Sequence, residues 1–288
     1  MSKVTNDRLK VEDLELSVIH GEPDEPARAT IIALPGGGYN STYWHHPRNP
    51  GGSLITLATA LGFRVYALDR PGYGISAGIQ EGGYSLDHQM EVIRELACQV
   101  AKAPGAGAGV FLVGHSMGGI LGLRVAAENP DGLLGVDVSG VPLRFSERLA
   151  TAVAATLEGS GESSAKSAAA LFYGPVGSYD PGLLTNDSSL APPLTTELAD
   201  SGAWPDQFVE TASKIEVPVR YTLGDHETVT ETGEAALLET AGYFNRASRV
   251  ETALQAKAGH NVSLHHTARA FHLRVIAFFE EVLALRGQ

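Results

Sequence analysis

The 288-residue chain has one cysteine, Cys98, so no intrachain disulfide forms and the fold has to rest on its apolar core. Basic residues are scarce. Lysine and arginine total 21 against 33 aspartates and glutamates, a formal net charge of −12, and neither cation clusters along the chain. A surface that neutralises phosphates needs such clusters, so nucleic acid is not an expected partner. No apolar stretch reaches the length of a membrane span. Residues 1–10 are polar and lack the apolar core of a signal peptide. The expectation is a cytoplasmic protein with no membrane association. Among the ten histidines, His45, His46, His265, His266 and His272 show no spacing that makes a metal site, and neither metal nor cofactor is expected. Repeats and low-complexity tracts are also missing. What remains is ordinary for a globular chain: 43% hydrophobic and 19% charged residues, enough for one large domain or a domain with an insertion. Nothing in the composition decides between monomer and homodimer.

Apolar periodicity carries the organisation. Residues 8–20 alternate apolar and polar positions, which predicts one or two half-exposed antiparallel strands. From residue 29 onward, strand and helix patterns alternate. Strands are expected at 29–34, 63–68, 110–113, 133–138, 217–223 and 249–257. Helices are expected at 51–61, 84–101, 119–128, 228–243 and 266–285. That alternation predicts a parallel sheet with helices on both faces. The rhythm breaks between 141 and 207, where prolines recur and 149–171 is alanine-rich with a polar interruption at 159–164. This stretch reads as a mostly helical insertion over the sheet, giving a core of 1–141 and 207–288 and a cap of 142–206.

The chemistry centres on Gly114-His115-Ser116-Met117-Gly118-Gly119, between an apolar strand and a small-residue helix. A serine on so sharp a strand-to-helix turn sits in strained backbone, and glycines two residues either side leave room for the crossing chain. The following helix presents its positive end to the hydroxyl. Serine is a poor nucleophile alone: it needs a histidine to take its proton and a carboxylate to orient that histidine. His260, after the strand 249–257, supplies the first, and Asp225, after 217–223, supplies the second. In a parallel sheet such groups meet at the carboxyl ends of the strands. Asp225 also reads as a helix cap, and Asp137, inside a strand, is the rival acid. His260 also reads as a structural histidine.

Taken together, the elbow 114–119, the run Asp69-Arg70-Pro71-Gly72-Tyr73-Gly74, Gly224-Asp225 and Gly259-His260 resemble the α/β-hydrolase superfamily over nearly the whole chain. The resemblance implies the α/β-hydrolase fold, with a mostly parallel eight-stranded core, a helical cap insertion, and a structural role for the loop 69–76. Many relatives carry His-Gly after the third strand, whereas here Pro35-Gly36-Gly37-Gly38-Tyr39 stands. These glycines still suit an oxyanion loop. Gly37 or Gly38 would donate one N–H and Met117 the other. Serine at the elbow sets the chain apart from the epoxide hydrolases and haloalkane dehalogenases of this superfamily, which use aspartate there.

Ser116, His260 and Asp225 therefore form the expected triad of a serine hydrolase (an esterase or thioesterase) cleaving an ester, thioester or lactone through an acyl-enzyme. The same fold also hosts carbon–carbon bond hydrolases, lyases, cofactor-free oxygenases and catalytically silent ligand-binding proteins. Tyr39, Tyr43, Trp44, His115, Phe172, Tyr173 and Trp204 are the expected substrate-binding residues. Each also reads as plain packing between cap and core. As a group they describe an aromatic, mainly apolar pocket for a small molecule.

Overall fold

A computed structural model describes residues 3–157 and 171–286. Among these residues, eight strands form one sheet in the order β1-β2-β4-β3-β5-β6-β7-β8. β1 (Lys3–Val11) and β2 (Leu14–Glu22) make an antiparallel hairpin whose register runs from Lys3 opposite Glu22 to Val11 opposite Leu14. β2 joins β4 (Phe63–Leu68) antiparallel. β3 (Ala29–Leu34), β4, β5 (Val110–His115), β6 (Leu133–Ser139), β7 (Val219–Gly224) and β8 (Val250–Gln255) then run parallel. The expected mostly parallel, eight-stranded α/β fold is what the chain forms.

Every residue of β3 and of β5 is buried, because helices cover both faces. Ile32, Leu34, Val110 and Leu112 face one cluster. It contains Ile93 and Leu96 of α2 (Leu86–Lys102), Leu121 of α3 (Met117–Ala127) and Leu237 of α7 (Glu234–Tyr243). Ile31, Ala33, Phe111 and Val113 face the other, with Leu54 and Ile55 of α1 (Leu54–Ala60) and Phe271, Val275 and Phe279 of α8 (Ala268–Arg286). The period-two alternation within each strand thus feeds two separate cores. At roughly 1.5–3 kcal/mol for each fully buried large apolar side chain, these cores hold the sheet in place.

The topology locates the site. From β3 the chain steps through α1 to β4 on one side, then returns through α2 to β5 on the other. The strand order therefore reverses between β3 and β5, and a crevice opens there at the carboxyl ends of the strands. Leu34 pairs with Gly114 at that end. The residues that follow, 35–38 after β3 and 116–119 after β5, are brought side by side.

Between β6 and β7 lie α4 (Glu147–Leu157), a 3₁₀ turn at Pro181–Leu184, α5 (Thr195–Ser201) and α6 (Trp204–Lys214). Among the described residues this stretch adds no strand to the sheet, only isolated bridges from Leu190 to Tyr39, Tyr179 to His265 and Phe145 to Thr230. The expected polar interruption at 159–164 lies outside the described residues. α6 crosses the expected boundary at 206/207, with Trp204 and Phe208 packed into the core cluster beside α3. The helix expected from 228 begins only at Glu234. The preceding residues instead pair with the insertion, Thr230 bridging Phe145 and Thr228 Oγ1 donating to Leu171 O (2.5 Å). Among the described residues no helix is long and apolar enough to cross a membrane.

Asp137 sits inside this frame, not at its tip. It is fully buried opposite Arg220 in the β6–β7 register, and Arg220 Nη1 donates to its Oδ2 at 2.7 Å. Burial raises the Asp137 pKa, and Arg220 works against that rise. A buried ion pair loses heavily when one partner is removed, because the other charge stays desolvated, and Arg220 would keep only its bond to the partly exposed Glu251 (3.0 Å). We predict that Asp137→Asn lowers the free energy of unfolding in urea by about 3 kcal/mol and leaves kcat/KM within a few-fold of wild type. A change in stability below about 0.5 kcal/mol would contradict this account of the pair.

Candidate active site

β5 delivers Ser116 in the left-handed region, at φ 50° and ψ −118°, which a side-chain-bearing residue adopts only at a cost of about 1–3 kcal/mol. Neighbouring glycines make it possible. A Cβ at Gly114 would stand 2.5 Å from Gly118 O and 2.6 Å from Gly119 Cα, and one at Gly118 would run into the carbonyls of Leu34 and Pro35. Two backbone bonds complete the turn: Ser116 N–H donates to Ser139 O (2.8 Å), and Ile120 N–H donates to Ser116 O (2.9 Å) to start α3. Met117 is the first helical residue. Its N–H belongs to the first turn, which has no intrahelical acceptor, and it lies at the positive end of the helix.

The glycine run after β3 lies against this turn. A Cβ on Gly37 would come within 3.7 Å of Met117 Cβ, so Gly37 and Met117 are neighbours. Sequence left Gly37 and Gly38 equal as donors, but the structure separates them. Gly38, at φ 71°, already donates its N–H to Tyr73 Oη (2.9 Å). The Gly37 N–H has no partner among the described residues.

His260 follows β8, buried, with its ring beside Phe172 and His115 at centroid distances of 5.7 and 4.7 Å. Its carboxylate partner corrects the expectation. Glu227 Oε2 lies 2.9 Å from His260 Nδ1, and Glu227 Oε1 accepts the N–H groups of Thr228 (2.9 Å) and Val229 (2.8 Å). Asp225 does not touch the histidine. Its carboxylate, partly exposed, accepts from Lys257 N–H (3.0 Å) and Ala258 N–H (3.1 Å) and caps the turn after β8. The turn after β7 aims Asp225 sideways, and only a longer side chain two residues on reaches the imidazole. The sequence signal was a second acid in Asp225-His226-Glu227.

Ser116 and His260 line one narrow cavity of about 20 Å³ with Gly36, Gly37, Tyr39, His115, Phe172 and Asn261. Of the expected substrate-binding residues, Tyr39, His115 and Phe172 line this cavity and the others do not. Tyr43 stacks behind His115 at 4.8 Å, and Trp44 is buried against Tyr43 and His272. Tyr173 turns away to donate to Asp187 Oδ2 (3.1 Å), while Trp204 packs on Phe208 and donates through Nε1 to Pro142 O (2.8 Å). Tyr173 and Trp204 spend their polar atoms within a core, as large amphipathic rings commonly do, whereas Trp44 Nε1 is buried without a hydrogen-bond partner among the described residues. Asn261, which sequence did not single out, bridges the lining: its Nδ2 donates to Tyr39 Oη (2.8 Å) and its Oδ1 lies 3.3 Å from His115 Nε2. Burial and the nearby His260 push the His115 pKa well below the ordinary range, so His115 is neutral. Among the described residues, no group of three or more His, Cys, Asp or Glu could hold a metal ion.

The model of the alpha/beta hydrolase family matches residues 31–272, a span that holds Gly37, Ser116, Glu227 and His260. The esterase Rv0045c of Mycobacterium tuberculosis is 38% identical over 105 residues, which is 35% of this chain and 29% of that protein. The matches span 29% and 34% of the lengths of the first two curated relatives. Among solved structures, the enol-lactonase from Burkholderia xenovorans is similar with a TM-score of 0.72 at 18% identity, covering 95% of this chain and 100% of that one. A carboxyl esterase from Bacillus coagulans is similar with a TM-score of 0.69 at 18% identity, over 97% and 99% of the two chains. At that identity the likeness is one of fold.

The loop that carries His260 is braced by a second histidine, and this makes stability depend on pH. His265 Nε2 accepts the N–H groups of Gly259 (3.0 Å) and Gly174 (3.2 Å), and its Nδ1 lies 2.8 Å from Asn261 O, so the proton resides on Nδ1. Burial lowers its pKa from 6.5 to about 4. The folded state thus keeps His265 neutral where the unfolded chain would protonate it. Its stabilisation is complete above pH ~6.5 and is lost as pH falls toward 4. We predict that the unfolding free energy drops between pH 7 and 4.5, with roughly 3 kcal/mol at stake for this histidine, and that His265→Gln flattens the slope. Equal slopes in the two proteins would contradict the assignment.

Proposed function

The chain belongs to the alpha/beta hydrolase family, and on that premise we propose that it hydrolyses carboxylic esters of small, neutral acyl groups through Ser116, His260 and Glu227. One observation carries the reading: a serine held at positive φ shares a cavity with a histidine whose Nδ1 is fixed by a buried carboxylate. With Nδ1–H donated to Glu227 Oε2, His260 Nε2 is left as the base. Ser116 Oγ attacks the acyl carbon while Nε2 takes its proton. The oxyanion that forms accepts from the N–H groups of Gly37 and Met117. The intermediate collapses, the imidazolium gives its proton to the departing alkoxide, and an acyl-enzyme remains. Water, deprotonated by Nε2, then attacks the acyl carbon, and collapse returns the serine and releases the acid. The Glu227 carboxylate stabilises the imidazolium.

The lining supports a neutral substrate. Tyr39 and Phe172 supply apolar walls, and Asn261 supplies one polar group. In this reading the segment 142–206 is a cap that excludes water from the reacting atoms, Phe172 reaching the His260 ring from it and Leu190 pairing with Tyr39.

The test is a set of variants assayed on p-nitrophenyl acetate with reaction of a fluorophosphonate probe. We predict that Ser116→Ala abolishes probe labelling and lowers kcat by roughly 10⁴-fold or more with an unchanged circular dichroism spectrum. Glu227→Gln should lower kcat on the order of 10³- to 10⁴-fold, because the amide favours the wrong imidazole tautomer. Asp225→Asn should fall within about tenfold of wild type. Full turnover in Ser116→Ala would remove the serine mechanism, and a larger loss from Asp225→Asn than from Glu227→Gln would reverse the assignment of the acid.

A further inference from the structure

Behind the glycine loop lies a buried polar cluster that the reaction above does not use. Arg70 is fully buried and spends its guanidinium on four residues, Nη2 also reaching Glu197 Oε1 at 3.3 Å. Nε donates to Pro35 O (2.9 Å), Nη2 to Gly36 O (3.0 Å), and Nη1 to Gln89 Oε1 (2.6 Å) and Glu197 Oε2 (2.7 Å). Glu197, also fully buried, comes from α5 in the inserted segment and accepts in addition from Tyr73 Oη (2.5 Å) and Gln89 Nε2 (3.0 Å). Tyr73 Oη in turn accepts the Gly38 N–H (2.9 Å). Both peptide units flanking Gly37 are therefore tied to this cluster, one by its carbonyl and the other by its N–H.

The consequence follows from peptide geometry. In a trans peptide the C=O and N–H of one unit point in opposite directions, and no peptide bond in the described chain is cis. Arg70 holds the Gly36 carbonyl on the buried side, so the N–H of the same unit, that of Gly37, is turned the other way, toward the cavity and Met117. Tyr73 holds the next unit by its N–H, which takes Gly38 out of the competition and fixes the twist across Gly37. A Cβ on Gly37 would meet Glu197 Oε1 at 3.3 Å, so the carboxylate stands directly behind the amide it helps to aim. Without Glu197, Arg70 would be a buried cation facing only neutral acceptors, and its hold on both carbonyls would loosen.

We infer that Glu197, acting through Arg70 and Tyr73, is a positioning residue that aims the Gly37 N–H at the developing oxyanion, so that the oxyanion site is completed by the inserted segment. The inference rests on the ester-hydrolase reading. A purely structural pin between cap and core would alter stability or substrate access. A positioning group alters stabilisation of the tetrahedral state, so it moves kcat and leaves KM nearly untouched.

The full-length wild type, Tyr73→Phe and Glu197→Gln are compared on p-nitrophenyl acetate, each normalised to the serines titrated by a fluorophosphonate. Binding of phenylboronic acid, which forms a tetrahedral anionic adduct on the serine Oγ, is measured alongside. The expected result for both variants is a kcat lowered about tenfold or more, KM within about twofold, and a boronate affinity weakened by a similar factor to kcat. Tyr73→Phe leaves the Arg70–Glu197 pair in place, so it carries the test if Glu197→Gln does not fold. Wild-type kcat and boronate affinity in Tyr73→Phe, or a raised KM with kcat unchanged, would overturn the inference while the serine mechanism stands. A wild-type protein that neither reacts with the fluorophosphonate nor binds the boronate would overturn the ester-hydrolase reading and the inference with it.

Discussion

Ser116 holds a backbone conformation that its own side chain disfavours, and the close approach of β5, α3 and the chain after β3 keeps it there. Only hydrogen atoms fit at Gly114 and Gly118, where added Cβ atoms would overlap main-chain carbonyls. The stored strain of about 1–3 kcal/mol is offset by the buried strands on either side, each with every side chain out of water. Relaxing the serine would part α3 from the strand ends. It would also separate the Met117 amide from Gly37. Ser116, the helix terminus and the neighbouring glycine loop thus form one rigid unit, and the constraint that creates it is steric.

Around that unit the polar groups divide by charge. Histidines at the site are kept neutral by burial: His115 against Tyr43 and Asn261, and His265 under the amides of Gly174 and Gly259. Fixed charges occur as buried pairs, Arg70 with Glu197 and Arg220 with Asp137. His260, unlike His115 and His265, is paired directly with a buried carboxylate. In the proposed mechanism, a low-dielectric surrounding would strengthen that pairing when the imidazole takes a proton. The neighbouring neutral rings add shape and hydrogen bonds without a competing charge.

Much of this was legible in the sequence because it is local. Strands 29–34 and 63–68 have the bounds the sequence gives: the first is buried throughout and stops at Pro35, and the second starts after Gly62 with buried and half-buried residues alternating over its first four positions. Ser116 and His260 follow strand tips, which period and turn residues reveal. The acid was harder. Asp225 and Glu227 share one turn, and the selection between them depends on Asp225 capping the main chain at Lys257 and Ala258, more than thirty residues away. Trp204 and Tyr173 looked like pocket aromatics, yet which face they present is set by α6 packing on α3 and by Asp187. The Arg70–Glu197 pair spans 127 residues of sequence, and no periodicity encodes a contact of that range.

The central claim is that Glu227 holds the Nδ1–H of His260 so that Nε2 faces the serine. Proton NMR of protein carrying ¹⁵N-labelled histidine tests it most directly, because an imidazole N–H bonded to a carboxylate resonates far downfield and can be assigned by its nitrogen. The account predicts such a proton on His260 Nδ1 in the wild type, retained in Asp225→Asn and lost or moved strongly upfield in Glu227→Gln. A signal that survives Glu227→Gln and disappears in Asp225→Asn would contradict it.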